Sequence, residues 1–255
     1  MLPTHRQAFA DRLDWLVDWL YPPRCRACRG RIAGRDSEYF CSACWSQIRL
    51  VSHPLCTMCG RPFLDASGDD HLCGVCLSRA PRFVSARAWA CYPREEIAED
   101  PLRQVVQKFK YGRKVSLGKS LGQLMASGCR EFLNERRVDT IIPVPLHPKR
   151  LRWRGFNQSV LLARQVSRAY GLPMDPFVLV RDKETSAQTQ LSEEERRKNV
   201  RGAFSVQSAA PLNGKTILLV DDVYTSGATV NECSRVLMQA GAKEVSVLTL
   251  ARTIS

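Results

Sequence analysis

The chain has 255 residues, 44% of them hydrophobic and 25% charged, which is long and apolar enough to bury a core and too balanced for a fibrous or low-complexity polymer. Its 38 Lys and Arg against 25 Asp and Glu leave a net charge of +13, which points to polyanionic partners: nucleic acid, phosphorylated metabolites or anionic lipid. No apolar run reaches the roughly 18 residues a membrane span needs, and Asp11 and Asp14 fall where an export signal needs an unbroken apolar core, so a cytoplasmic protein without a membrane span is expected.

Phe9, Leu13, Leu16, Val17 and Leu20 recur at helical spacing until Pro22 and Pro23 stop the pattern, which predicts an N-terminal amphipathic helix over residues 1–22. Asp11, Asp14 and Asp18 repel anionic lipid, so this helix is expected to dock on the protein itself. Four Cys-x-x-Cys pairs follow, Cys25/Cys28, Cys41/Cys44, Cys56/Cys59 and Cys73/Cys76, in a stretch too short to enclose much core. Cytosolic thiols stay reduced, so disulfides are not expected. Thiolate-bound Zn²⁺ is the usual staple there, because two intervening residues let one turn deliver both sulfurs to a tetrahedral ion. Eight thiolates make two four-cysteine sites within a double zinc-ribbon module over residues 23–81. Sequential pairing (Cys25, Cys28, Cys41, Cys44; then Cys56, Cys59, Cys73, Cys76) is favoured over a cross-braced one. Gly30 and Gly60 are expected to turn the chain so that N–H groups point at sulfur. His53 and His71 are expected at the surface or in packing, and Cys91, Cys129 and Cys233 in the core.

After Arg82 the pattern alternates between strand and helix, the mark of an α/β domain with a mainly parallel sheet over residues 82–255. Strands are predicted at 86–92, 140–144, 177–180, 216–220 and 244–250, and helices at 101–110, 116–134, 156–170, 193–200 and 228–240. Between Arg103 and Arg168 there are 15 Lys and Arg against Glu131, Glu135 and Asp139, so this quarter of the chain holds nearly all the net charge. Lys149, Arg150, Arg152 and Arg154 form a dense cationic loop with Trp153 and Phe156 interleaved, suited to pyrophosphate or to a nucleic-acid backbone with stacked bases. Ser192 and Glu195 have capping-box spacing at the start of the charged helix.

The stretch from Thr216 to Thr229, TILLVDDVYTSGAT, is an apolar strand, two acids, a loop of small hydroxyl residues and a helix start. The strand end places Asp221 and Asp222 to accept from ribose hydroxyls, and the loop presents hydroxyls and unpaired N–H groups at a helix N-terminus, an anion cradle. The loop after this strand has no Gly-Lys-Ser/Thr, which excludes a Walker A loop there. This stretch resembles the phosphoribosyl pyrophosphate (PRPP) motif of type I phosphoribosyltransferases. With residues 141–158 (IIPVPLHPKRLRWRGFNQ) and 185–199 (TSAQTQLSEEERRKN), and the cysteine module in front, nearly the whole chain resembles the competence protein F (ComF) type and its gluconate-utilisation relatives.

That resemblance implies a type I phosphoribosyltransferase-like fold, a parallel sheet flanked by helices behind the four-cysteine ribbons. PRPP, accompanied by Mg²⁺, would be held by Asp221, Asp222, Val223, Tyr224, Thr225, Ser226, Gly227, Ala228 and Thr229 with Lys149 and Arg150. Residues 143–154 would lie at the pyrophosphate, and 185–201 would form a hood. It also implies a role in DNA uptake during natural transformation, with a helicase-like ATPase as partner. Single-stranded DNA would contact Lys149, Arg150, Arg152, Trp153 and Arg154. The alternative is an active transferase, in which an acceptor displaces pyrophosphate and Asp221 and Asp222 are the catalytic pair.

Overall fold

The computed structural model describes residues 22–32, 38–65, 67–93, 99–184 and 193–254. All but the last residue of the predicted helix over 1–22, the capping Ser192 and residues 185–192 of the 185–201 hood therefore lie outside the described residues. Four parallel strands make the central sheet: β1 (Ser85–Tyr92), β2 (Thr140–Pro143), β5 (Thr216–Tyr224) and β6 (Glu244–Thr253), in the order β1-β6-β5-β2. β3 (Leu179–Arg181) and β4 (Phe204–Val206) form a separate antiparallel pair.

β5 is buried on both faces, and its apolar run divides by the two-residue period of a strand. Leu218 and Val220 join a core with Val105, Phe109, Leu121, Met125 and Leu162, from α3 (Pro101–Tyr111), α4 (Leu117–Gly128) and α7 (Gln158–Tyr170). Ile217 and Leu219 join the opposite core with Val230, Cys233 and Leu237 of α9 (Ala228–Gln239) and with β3 and β4. Cys91, Cys129 and Cys233 are buried as expected.

The differences from the sequence reading have local causes. The helix expected over 116–134 breaks at Cys129 into α4 and α5 (Arg130–Asn134). The cationic segment read as a loop is largely a helix, α6 (Pro148–Arg154). His147 caps it, its Nδ1 accepting from the Lys149 N–H at 3.3 Å, Pro148 opens it, and Gly155 closes it at φ +85°. β5 also runs four residues further than predicted, so Asp221 and Asp222 are strand residues, Asp221 lying opposite Thr249.

The ribbons pack on different parts of the sheet domain. In the first, α1 (Ser42–Trp45) and its neighbours send Cys25, Ala27, Phe40, Cys44 and Ile48 into the α3/α4 core. The second ribbon, containing α2 (Gly74–Ser78), sits against the start of β1 and the carboxyl end of β6. Ala86 N–H donates to Met58 O at 2.7 Å, Arg82 N–H donates to Asn231 Oδ1 of α9 at 2.7 Å, and the Arg252 guanidinium donates to Cys59 O. A side chain at Gly60 would overlap the Ala86 carbonyl; this glycine, at φ +68°, lets the two backbones meet.

Candidate sugar-phosphate cleft and zinc sites

The eight ribbon cysteines gather in the sequential pairing, Cys25, Cys28, Cys41 and Cys44 in one cluster and Cys56, Cys59, Cys73 and Cys76 in the other, with all sulfurs of a cluster within 4.8 Å of one another. A tetrahedral Zn²⁺ with bonds of about 2.3 Å sets its sulfurs about 3.8 Å apart. Cys28 and Cys41 Sγ are 3.7 Å apart, and Cys59 and Cys73 Sγ 3.8 Å. Backbone N–H groups aim at sulfur as thiolate ligands require: Gly30 donates to Cys28 Sγ at 3.3 Å, and Cys73 to Cys56 Sγ at 3.3 Å. Both sets therefore fit structural zinc. In the first ribbon the positive φ belongs to Arg29, at +65°, rather than to Gly30. His71 stacks on Phe63 with centroids 4.0 Å apart, and His53 Nδ1 lies 2.9 Å from Asp70 Oδ1, so both histidines have partners outside the clusters.

β2 ends at Pro143 while β5 continues to Tyr224, so the last residues of β5 and the turn after them border a cleft. Its cavity of about 670 Å³ is lined by every residue from Asp221 to Thr229, by Arg150, Trp153 and Arg154 of α6, and by Arg61 and Arg79 of the second ribbon. Among the described residues, ten Arg and Lys line it against two acids, Asp221 and Asp222. Lys149 and Arg152, on the exposed side of α6, do not line it; Lys149 pairs with Glu184. Trp153 is 57% exposed and its ring lies 6.2 Å from that of Tyr111. Arg154 is buried rather than set on the rim, donating to Gln158 Oε1 at 2.6 Å and lying over Tyr111. Phe156 packs on Phe109 with centroids 5.5 Å apart.

The two acids have different surroundings because successive strand residues face opposite ways. Asp222 Oδ1 is 2.8 Å from Lys110 Nζ of α3. Its Oδ2 is buried without a hydrogen-bond partner among the described residues. Asp221 Oδ1 accepts from Ser159 Oγ and from the Asp222 N–H, both at 2.9 Å. Burial, and then the adjoining Asp222 charge, push the Asp221 carboxyl up to about 7. Burial by itself pulls the Lys110 ammonium down, but the facing Asp222 more than offsets this and holds it above its ordinary value. Lys110 and Ser159 were not singled out in the sequence; they reach the site from α3 and α7, and only the folded sheet brings them there.

The turn after β5 is shaped by Gly227, at φ +74°, which precedes α9. A Cβ there would overlap the Tyr224 hydroxyl. The Tyr224 ring is held on three sides: it packs against the second cysteine cluster, lies under the Arg252 guanidinium at 4.7 Å, and meets Phe83 edge-on at 6.3 Å. Thr253 Oγ1 donates to Thr225 O at 3.2 Å. The loop is thus propped from below by the second ribbon and the end of β6.

Residues 16–79 match the double zinc ribbon domain and residues 157–255 the phosphoribosyl transferase domain. Competence protein F of Haemophilus influenzae is 34% identical over 233 residues, 90% of this chain and 96% of its own length. The chain belongs to the competence protein F family. Within that family, the DNA utilization protein YhgH of Escherichia coli K12 is 32% identical over 91% of this chain and 98% of its own. Competence protein ComFC of Streptococcus pneumoniae is 28% identical over 85% and 89%. As a competence protein F relative, the chain has the phosphoribosyltransferase-like parallel sheet behind a double zinc ribbon. Among the described residues no helix is long and apolar enough to cross a membrane.

Proposed function

We propose that this protein binds PRPP over Asp221–Thr229 and single-stranded DNA along the cationic rim, and that it acts in DNA uptake. The observation that carries this reading is the opening of the acidic pair and the Gly227 turn into a single cleft lined by ten cations. A sugar diphosphate needs that pairing: acceptors for its hydroxyls, and N–H groups at a helix start for its phosphate. Asp222 Oδ2, buried without a partner, is an acceptor a ribose hydroxyl would satisfy. Mg²⁺ would come with PRPP, bound mainly to its phosphate oxygens and offsetting their charge, while Arg150 would face the diphosphate. The names of the relatives support the DNA half of the reading, as does the exposed Trp153 beside Arg150 and Arg152.

Titration of the zinc-loaded protein with PRPP and with oligothymidylate tests both halves. DNA affinity is expected to fall with salt at a slope of roughly −0.7 per phosphate neutralised. Gly227→Ala, which forces a strained φ and a clash with Tyr224, is expected to weaken PRPP about tenfold or more by closing the phosphate turn. Wild-type DNA binding that ignores salt, or PRPP binding untouched by Gly227→Ala, would overturn the corresponding half. One observation favours a second reading, transfer to an acceptor: the Asp221 carboxyl, at about 7, is poised to exchange a proton near neutrality. Pyrophosphate release that needs an added acceptor and is lost in Asp221→Asn would establish it.

A further inference from the structure

The sheet order puts α6 and the second ribbon on opposite sides of the phosphate turn. α6 follows β2, on one flank of β5, whereas the ribbon is fastened to β6, β1 and α9 on the other. With strands about 4.8 Å apart, the two flanks stand roughly 14 Å from each other, room for several phosphates of one strand. Both flanks are cationic. On the ribbon side Arg61 and Arg79 line the cleft together with Val75 and Pro81. Arg79 is exposed at the end of α2, and the Arg82 bond to Asn231, three residues on, fixes its distance from the turn. The turn and α6 already provide for one sugar phosphate, so the ribbon cations are surplus to that ligand. An excess of like charge along a cleft favours an extended polyanion over a compact one.

We propose that the second zinc ribbon carries a phosphodiester subsite, formed by Arg61 and Arg79, and that a single nucleic-acid strand runs from it over the phosphate turn to Trp153 and Arg150. This rests on the reading of the cleft as a nucleic-acid site and adds a second contact region and a path. The strand's backbone charges meet the ribbon, and its bases meet the Tyr111–Trp153 pair on the far side.

The test compares wild type with Arg61→Ala/Arg79→Ala in the full chain, using oligothymidylate anisotropy at several salt concentrations and a parallel PRPP titration. Zinc content confirms that the ribbon is intact; the Arg61 carbonyl that accepts from Cys56 N–H at 2.8 Å survives the substitution. Loss of two phosphate contacts is expected to flatten the slope of log affinity against log salt by about 1.4 and to weaken DNA binding about tenfold at low salt, with PRPP affinity unchanged. If zinc content drops, Arg79→Glu, a change at an exposed position, serves instead and is expected to lower DNA affinity in the same salt-sensitive way. An unchanged slope overturns the subsite. A parallel loss of PRPP affinity also overturns it, by giving these cations to the sugar phosphate. Oligothymidylate that fails to bind wild type would remove the underlying reading and the subsite together, whereas binding only to an acidic peptide would make the ribbon a protein-docking site.

Discussion

Asp221→Asn is expected to stabilise the protein above pH 7, and Asp222→Asn to destabilise it by about 3–5 kcal/mol. The two acids are neighbours in sequence and opposite in role. Asp222 is one half of a buried ion pair with Lys110, and amidation leaves an uncompensated ammonium in the protein. Asp221, pushed up to about 7 by burial and by the charge of Asp222, keeps its proton in the folded chain across a range where the unfolded chain, with a carboxyl near 3.9, has released it. The folded state therefore binds the extra proton between about pH 4 and 7, and this group's contribution to stability is lost as pH rises through that window, on the order of a few kcal/mol in all. Asparagine mimics the protonated acid and removes the loss. Urea unfolding of wild type and both variants from pH 5 to 8 measures this. Equal destabilisation by the two amides would mean that the pair shares its charge and that no such division exists.

Losing metal from the second ribbon is expected to unfold that ribbon and to abolish the proposed PRPP binding, whereas losing it from the first should leave the Gly227 turn in place. Structural zinc is worth about 10–16 kcal/mol of apparent binding energy in small modules. Cys56→Ala/Cys73→Ala should therefore lower the zinc content from two ions to one and release the wall of the cleft. The coupling runs through three contacts: Tyr224 packed on the cysteine cluster, Arg252 donating to Cys59 O, and the Gly227 turn built against Tyr224. Cys25→Ala/Cys44→Ala instead removes a ribbon that packs on the α3 and α4 side through Phe40 and Ile48, costing core burial but no contact with the turn. Metal analysis, thermal unfolding and PRPP titration on the same preparations read all three consequences. PRPP affinity lost equally in both variants would show that the turn has no special dependence on the second ribbon.

What the residue pattern made legible follows from which forces are local. β5 and β6 were readable because buried strands have apolar runs of their own, and the four cysteine pairs because metal geometry dictates their spacing. α6 was missed because its cap is a histidine, outside the usual set of capping residues, although Pro148 and Gly155 carry the ordinary start and stop signals. β4 is three residues long, too short for any period to show. The motif from Asp221 to Thr229 was visible as one stretch, but its partners were not. Lys110, Ser159, Arg61 and Arg252 come from four other elements, and nothing in their own neighbourhoods marks them as neighbours of the acids or of the turn. The cationic segment announced its charge without its direction: Arg150 and Arg154 turn to the cleft while Lys149 and Arg152 stay outside, a division that exists only once α6 is a helix.

The central position of β6 governs how the chain is made. This strand, which follows the other three sheet strands in sequence, lies between β1 and β5 and supplies Arg252, whose bond to Cys59 spans 193 residues. On the ribosome, β1 has only its short bridge to residues 49–51 until β6 emerges, and β5 lacks one of its two sheet neighbours, so the sheet cannot close before β6 is made. Ordering so many remote pairings at the end makes for slow folding and leaves strand edges open in the interval. A product cut short before Glu244 would be an aggregation-prone fragment rather than a weakened protein.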